Sequence, residues 1–187
     1  MSLVELIAQA DERGLAASGL ACLDRCVPLL GGDDEILRPL WASLSDADDA
    51  DDWGERLQDA RGKLGGPEGP GDGEAALLAR RMLAAAPADP SAAAVRVWAD
   101  ACSVAALQIH RLLDPLAGRV SSVDSRREGR TEGMSPLVAA ELRRQIIVLE
   151  VLAGHGAGGL RRALEVSVEG RRVLRAVVSR RARSLRG

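Results

Sequence analysis

The sequence predicts an all-α fold: a single helical bundle of about seven to eight helices, with an N-terminal helical hairpin and long central and C-terminal helices. Three observations carry that reading. Apolar residues recur at i, i+3, i+4 and i+7 along nearly the whole chain. The breaks between these segments fall at Gly, Pro and Asp, which stop or start helices. Runs of β-branched residues are short, and Ile146-Ile147-Val148 lies inside a helical pattern. At 187 residues and 47% apolar content the chain is long enough to bury a core without a metal or disulfide staple.

Taken in order, Leu3, Leu6, Ile7 and Ala10 mark a first amphipathic helix, with Ser2 and Glu5 in capping-box positions and Gly14 as its stop. The second opens near Leu15 and runs through Leu20, Leu23, Val27 and Leu30 to Gly31-Gly32, completing the hairpin. Asp33-Asp34 open a third helix through Ile36, Leu37, Leu40, Trp41 and Leu44, in which Pro39 demands a late start or a kink. The acidic run 45–52 precedes a short helix from Trp53 to Leu64. Residues 65–73, GGPEGPGDG, read as a linker because neither helix nor strand survives that density of Gly and Pro. They divide an acidic subdomain, 1–64, from a basic helical bundle, 74–187, with the two expected to pack as one domain.

Beyond the linker, 74–86 is helical and stops before Pro87. Asp89-Pro90 offers a cap and first position for a long central helix through Val95, Trp98, Cys102, Ala105, Ile109 and Leu112 to Leu113. Its few charges, Arg96, Asp100 and Arg111, mark a helix buried on several sides. Residues 118–133 are polar and aperiodic and read as a long loop. Ser135-Pro136 starts the next helix, the Gly-rich string 154–159 breaks it, and a last helix spans 160–184 with Gly170 as a soft point.

The net charge of −2 conceals opposed halves: residues 1–76 hold 17 acidic and 6 basic residues, residues 77–187 hold 10 and 19. Such halves neutralise each other on folding or present two faces to two partners. Only Lys63 among the 25 basic residues is lysine, and Phe and Tyr are absent, the coding bias expected of a high-GC bacterium. Arginine is therefore partly the default base here. Three cysteines make no disulfide framework and point to a reducing cytoplasm. No uninterrupted apolar stretch approaches the roughly 18 residues of a membrane span, and the N-terminus, with Glu5 among its apolar residues and no basic region, is not a secretory signal.

Sites of chemistry are sparse. Cys22 and Cys26 share one helix face but lack two further metal ligands, so core packing explains them and no metal is expected. No cofactor motif and no nucleophile–base pair is present, so no catalytic residue is assigned. His110, near the end of the central helix, reads as a cap or core histidine. A pocket converging Asp100, His110, Glu141 or Glu150 with Arg143 or Arg144 would instead mark an enzyme. The string GHGAGG sets Gly156, Gly158 and Gly159 before Arg161 and Arg162, an arrangement able to aim N–H groups and guanidiniums at an anion, or simply to turn the chain.

The sharpest hint is EGRRVLRAVVSRRARSLRG. On a helix, Val173, Leu174, Val177, Val178 and Leu185 share one side, while Arg171, Arg172, Arg175, Arg183 and Arg186 share the other. Only Arg181 falls among the apolar residues. Such a helix packs internally, docks a protein, contacts nucleic-acid phosphate or lies on an anionic surface. The expectation is a non-catalytic adaptor or regulatory protein that binds a protein partner. The alternatives are a nucleic-acid binder using Arg161, Arg162, Arg171, Arg172 and Arg175, and a small-ligand or anion binder, or enzyme, at the 154–159 loop. A homo-oligomer is compatible with each.

Overall fold

A computed structural model describes residues 1–45, 52–64, 73–116 and 122–187. The fold is all-α, with no strand among the described residues. The helices are α1 (Leu3–Gln9), α2 (Glu12–Cys26), α3 (Arg38–Ser43), α4 (Trp53–Leu64), α5 (Glu74–Ala85), α6 (Ala92–Leu113), α7 (Val123–Arg127), α8 (Pro136–His155) and α9 (Leu160–Ser184). Apart from Gly73, the linker 65–73 lies outside the described residues, as does the acidic run apart from Ser45 and Asp52.

Local chemistry sets most boundaries. Ser2 and Glu5 form the capping box of α1. Gly14 does not separate the first two helices, as its composition predicted. It lies inside α2, because Asp11 accepts its N–H at 2.7 Å and caps the helix three residues earlier. Pro28 then ends α2 in a 3-10 turn, Val27–Leu29, short of the expected Leu30. Pro39 delays α3 to Arg38. Ser91, not Asp89, caps α6 by accepting the N–H of Ala94. Within the stretch read as loop, 118–133, the short helix α7 forms. Ser122 caps it, and Val123, Arg126 and Arg127 are buried, so tertiary contacts supply what its few residues lack.

α6 is the axis of the bundle and packs on α2, α5 and α8, while α2 also packs on α8 and α9. Segments from both sides of 65–73 therefore share one core. Every residue of α2 from Gly14 to Cys26 is buried. Two glycines permit the closest approaches. A Cβ on Gly19 would sit 2.7 Å from the Trp98 ring of α6, and one on Gly170 would sit 2.3 Å from Cδ of Arg25. Of the described helices α6 is long and apolar enough to cross a membrane, but its Trp98, Cys102, Ala106 and Ile109 are core residues.

Candidate functional site

The approach of α9 to α2 at Gly170 surrounds Arg25 with protein. Its guanidinium is fully buried and grips Glu141 of α8 through two parallel bonds, Nε to Oε2 at 2.8 Å and Nη2 to Oε1 at 2.7 Å. The same carboxylate accepts from Gln145 Nε2 at 2.9 Å. Gln145 Oε1 accepts from Ser103 Oγ at 2.7 Å, and Ser103 Oγ accepts from Arg127 Nε at 3.1 Å. Arg127 also donates to Asp100, at the solvent edge of the chain. One polar network thus joins α2, α6, α7 and α8.

His110 flanks it. Its Nδ1 lies 2.7 Å from the Ala106 carbonyl, which only accepts, so Nδ1 carries the proton. Its Nε2 faces Glu141 at 3.5 Å. Burial lowers the imidazole pKa despite that carboxylate, and the ring is neutral near neutral pH. Burial pushes Glu141 upward, but the Arg25 charge and the hydrogen bonds from Arg25 and Gln145 outweigh it and hold the carboxyl at about 2. Burial raises the Cys22 thiol to about 12 and lifts Cys26 and Cys102 well above the usual range, so all three are inert thiols at neutral pH. No grouping of His, Cys, Asp or Glu fit to hold a metal occurs among the described residues.

Of the residues named above as marks of an enzyme pocket, His110 and Glu141 meet in packed protein rather than in a cleft, while Asp100 is exposed and joins them only through Arg127, Ser103 and Gln145. Clefts of about 330 to 360 Å3 open instead beside Trp41 and Leu160, along α4, and between α1 and the end of α8.

A second ionic cluster fastens α9. Asp24 accepts from Trp41 Nε1 at 2.8 Å and pairs with Arg171, and Asp34 pairs with Arg175. Helical periodicity put Arg171 on one side with Arg172 and Arg175. Of these, Arg171 lies against Asp24 and is 5% exposed, Arg175 pairs with Asp34, and Arg172 is exposed. Arg161 and Arg162 are exposed and both reach Glu165, one and the same carboxylate, at 3.6 and 3.4 Å. The glycines form a 3-10 turn, Gly156–Gly159. Gly156 has φ +52, and a Cβ on Gly159 would meet the Val151 carbonyl at 2.7 Å. Gly158 faces open space. Gly156 touches the cleft of about 350 Å3 beside Leu6, Gln9, Asp11 and Leu149, whereas Arg161 and Arg162 are not part of its lining.

Many of the other arginines close helix ends, a use composition does not reveal. Arg61 donates to the carbonyls of Leu83, Ala84 and Ala86 at the C-terminal end of α5. Arg96 donates to those of Ile7, Ala8 and Ala10 at the C-terminal end of α1, and Arg181 to that of Leu112 at the end of α6. Each satisfies carbonyls that a helix terminus leaves open and sits at the negative end of its dipole.

The last turns of α9 differ. Residues 170–187 contain seven arginines and no acid, and from Ser179 onward every residue is exposed. No ion pair holds Arg172, Arg180, Arg183 or Arg186 among the described residues. The fold and its charges define an all-α bundle with an ionic core and an exposed basic helix end. No protein-family model matches this chain, and neither a curated protein nor a solved structure matches it significantly.

Proposed function

We propose that this chain is a non-catalytic adaptor or regulatory protein of the cytoplasm that docks an acidic protein surface with the exposed end of α9. The observation that carries this reading is the contrast among the arginines. Those at 25, 127, 171 and 175 are spent on carboxylates, and those at 61, 96, 126 and 181 on carbonyls. Arg172, Arg180 and Arg183 stay exposed along about 17 Å of α9 at 1.5 Å per residue, with Arg186 just past its end. Guanidiniums there can fork onto partner carboxylates at low desolvation cost.

A protein partner suits the field of the molecule better than a nucleic acid does. Outside residues 170–187 the chain carries a net −9, which repels a polyanion at long range. The basic end also offers no aromatic ring on which bases would stack.

The test is fluorescence anisotropy with two probes, a helical peptide bearing carboxylates at i, i+3 and i+7 and a 20-base-pair duplex. The peptide binds and the duplex does not at physiological salt. The combined change of Arg172, Arg180, Arg183 and Arg186 to Glu weakens peptide binding by at least about tenfold, given about 0.3–1 kcal/mol per exposed pair. Tighter binding of the duplex, with log affinity falling against log salt at a slope of about −4, would move the reading to nucleic acid. Failure of both probes would overturn it.

A further inference from the structure

We infer that the partner docked by the end of α9 is an acidic helix that continues along α9 to its start and seats an apolar side chain in the groove between α3 and α9. This rests on the reading that the end of α9 is a docking surface, and it adds the shape and chemistry of what docks. The groove, about 330 Å3, has Trp41, Ala42, Leu160 and Leu164 in its lining, with Arg38 of α3 and Arg161 of α9 beside them. Trp41 and Leu160 are buried and make its floor, whereas the Arg38 and Arg161 side chains are 67% and 92% exposed and stand at its edges. Apolar surface rimmed by polar groups is the pattern of an interface centre, where a partner's anchor residue inserts. The groove is too open to enclose most of a small ligand, so it suits one side chain of a partner that is also held elsewhere.

The charges at the groove and beyond it set the partner's sign. Arg38 pairs with Glu35, and Arg161 and Arg162 share Glu165, so three cations meet two carboxylates there. All five side chains are exposed, and exposed pairs are weak enough for a partner carboxylate to replace them. Arg161, Arg172 and Arg183 then follow one another at intervals of eleven residues along α9, and all three are exposed. Eleven residues make three turns and about 20° more, with a rise of about 17 Å, so these positions form a row about 33 Å long that starts at the groove. The two acidic residues of α9 are Glu165, shared as above, and Glu169, which pairs with Arg144. No acid follows Glu169. A helix lying alongside repeats at the same interval, so its carboxylates can meet Arg172 and Arg183 while an apolar residue at the end of its row enters the groove.

The test is fluorescence anisotropy on the full chain with two helical peptides of equal length and charge. Both carry Glu at intervals of eleven residues, and one has Phe, the other Ala, a turn beyond each end of that row. The Phe peptide binds the wild type about tenfold tighter than the Ala peptide. Ala42→Gln, at an exposed position where a longer neutral side chain covers the groove, removes that difference and leaves the Ala peptide within about twofold. R172E/R183E weakens both peptides by about tenfold and keeps the difference between them. Circular dichroism checks that each variant keeps its helices. Equal binding of the two peptides to the wild type, or an undiminished difference in Ala42→Gln, would overturn the inference and leave the docking reading in place. If neither peptide binds, the docking reading falls with it. A wild type that sediments above the monomer while Ala42→Gln is monomeric would put a second copy in the groove, which also refutes the inference.

Discussion

The arginines in the middle of α9 and those at its end are the same side chains and behave differently. Arg171 and Arg175 lie where the helix crosses α2, and each meets a carboxylate brought there from the N-terminal half of the chain. Arg183, a few turns later, and Arg186, just past the helix end, are exposed, and no ion pair holds them among the described residues. The first pair fastens the helix, and the second leaves it with charge to offer. Identical side chains take different roles according to which surface passes beneath them.

The comparison is broken most severely from its buried side. Glu141→Gln leaves Arg25 buried without a counter-charge, and thermal unfolding should show a loss of about 3–5 kcal/mol. The double change Arg25→Met with Glu141→Leu should cost far less, since a buried ion pair is often replaceable by apolar groups of similar volume. If the double variant is as unstable as the single one, the pair is not the source of the effect.

Acid attacks the same pair. The folded state holds Glu141 at about 2 against an ordinary 4.5, so its contribution is full above pH 4.5 and disappears as the pH falls toward 2. That loss is on the order of 3 kcal/mol. His110, lowered from 6.5, acts in the same direction from a higher pH, because the unfolded chain takes up its proton first. Denaturant midpoints measured from pH 7 to pH 3 should fall throughout, and a flat profile would contradict the network. Gly170→Ala comes next. Its Cβ would press on the buried stem of Arg25, at a cost of about 1–3 kcal/mol by chemical denaturation. Last, Arg183→Ala with Arg186→Ala should shift stability by less than about 0.5 kcal/mol. A larger loss would mean that the end of α9 fastens the fold as Arg171 does, which would erase the distinction between its middle and its end.

The sequence by itself determined the all-α class, the extent of α4, α5, α6 and α9 to within a residue or two, and the starts of α1 and α8. Helix periodicity and capping act over three or four residues, so they are written in adjacent letters. It carried less about positions where a local preference competed with another. Gly14 and Asp89 were plausible signals that lost to Asp11 and Ser91, and α7 exists because its Val123 and Arg127 find buried places.

The ionic core was the least legible part. Arg25 and Glu141 are 116 positions apart, and Asp24 and Arg171 are 147 apart. Helical spacing places a side chain on a face but does not say what that face meets. Only the packing of α2, α8 and α9 decided which arginines would be spent inside the molecule and which would remain at its surface. Charge pairing falls away over a few ångströms, so it depends on tertiary neighbours and not on sequence neighbours.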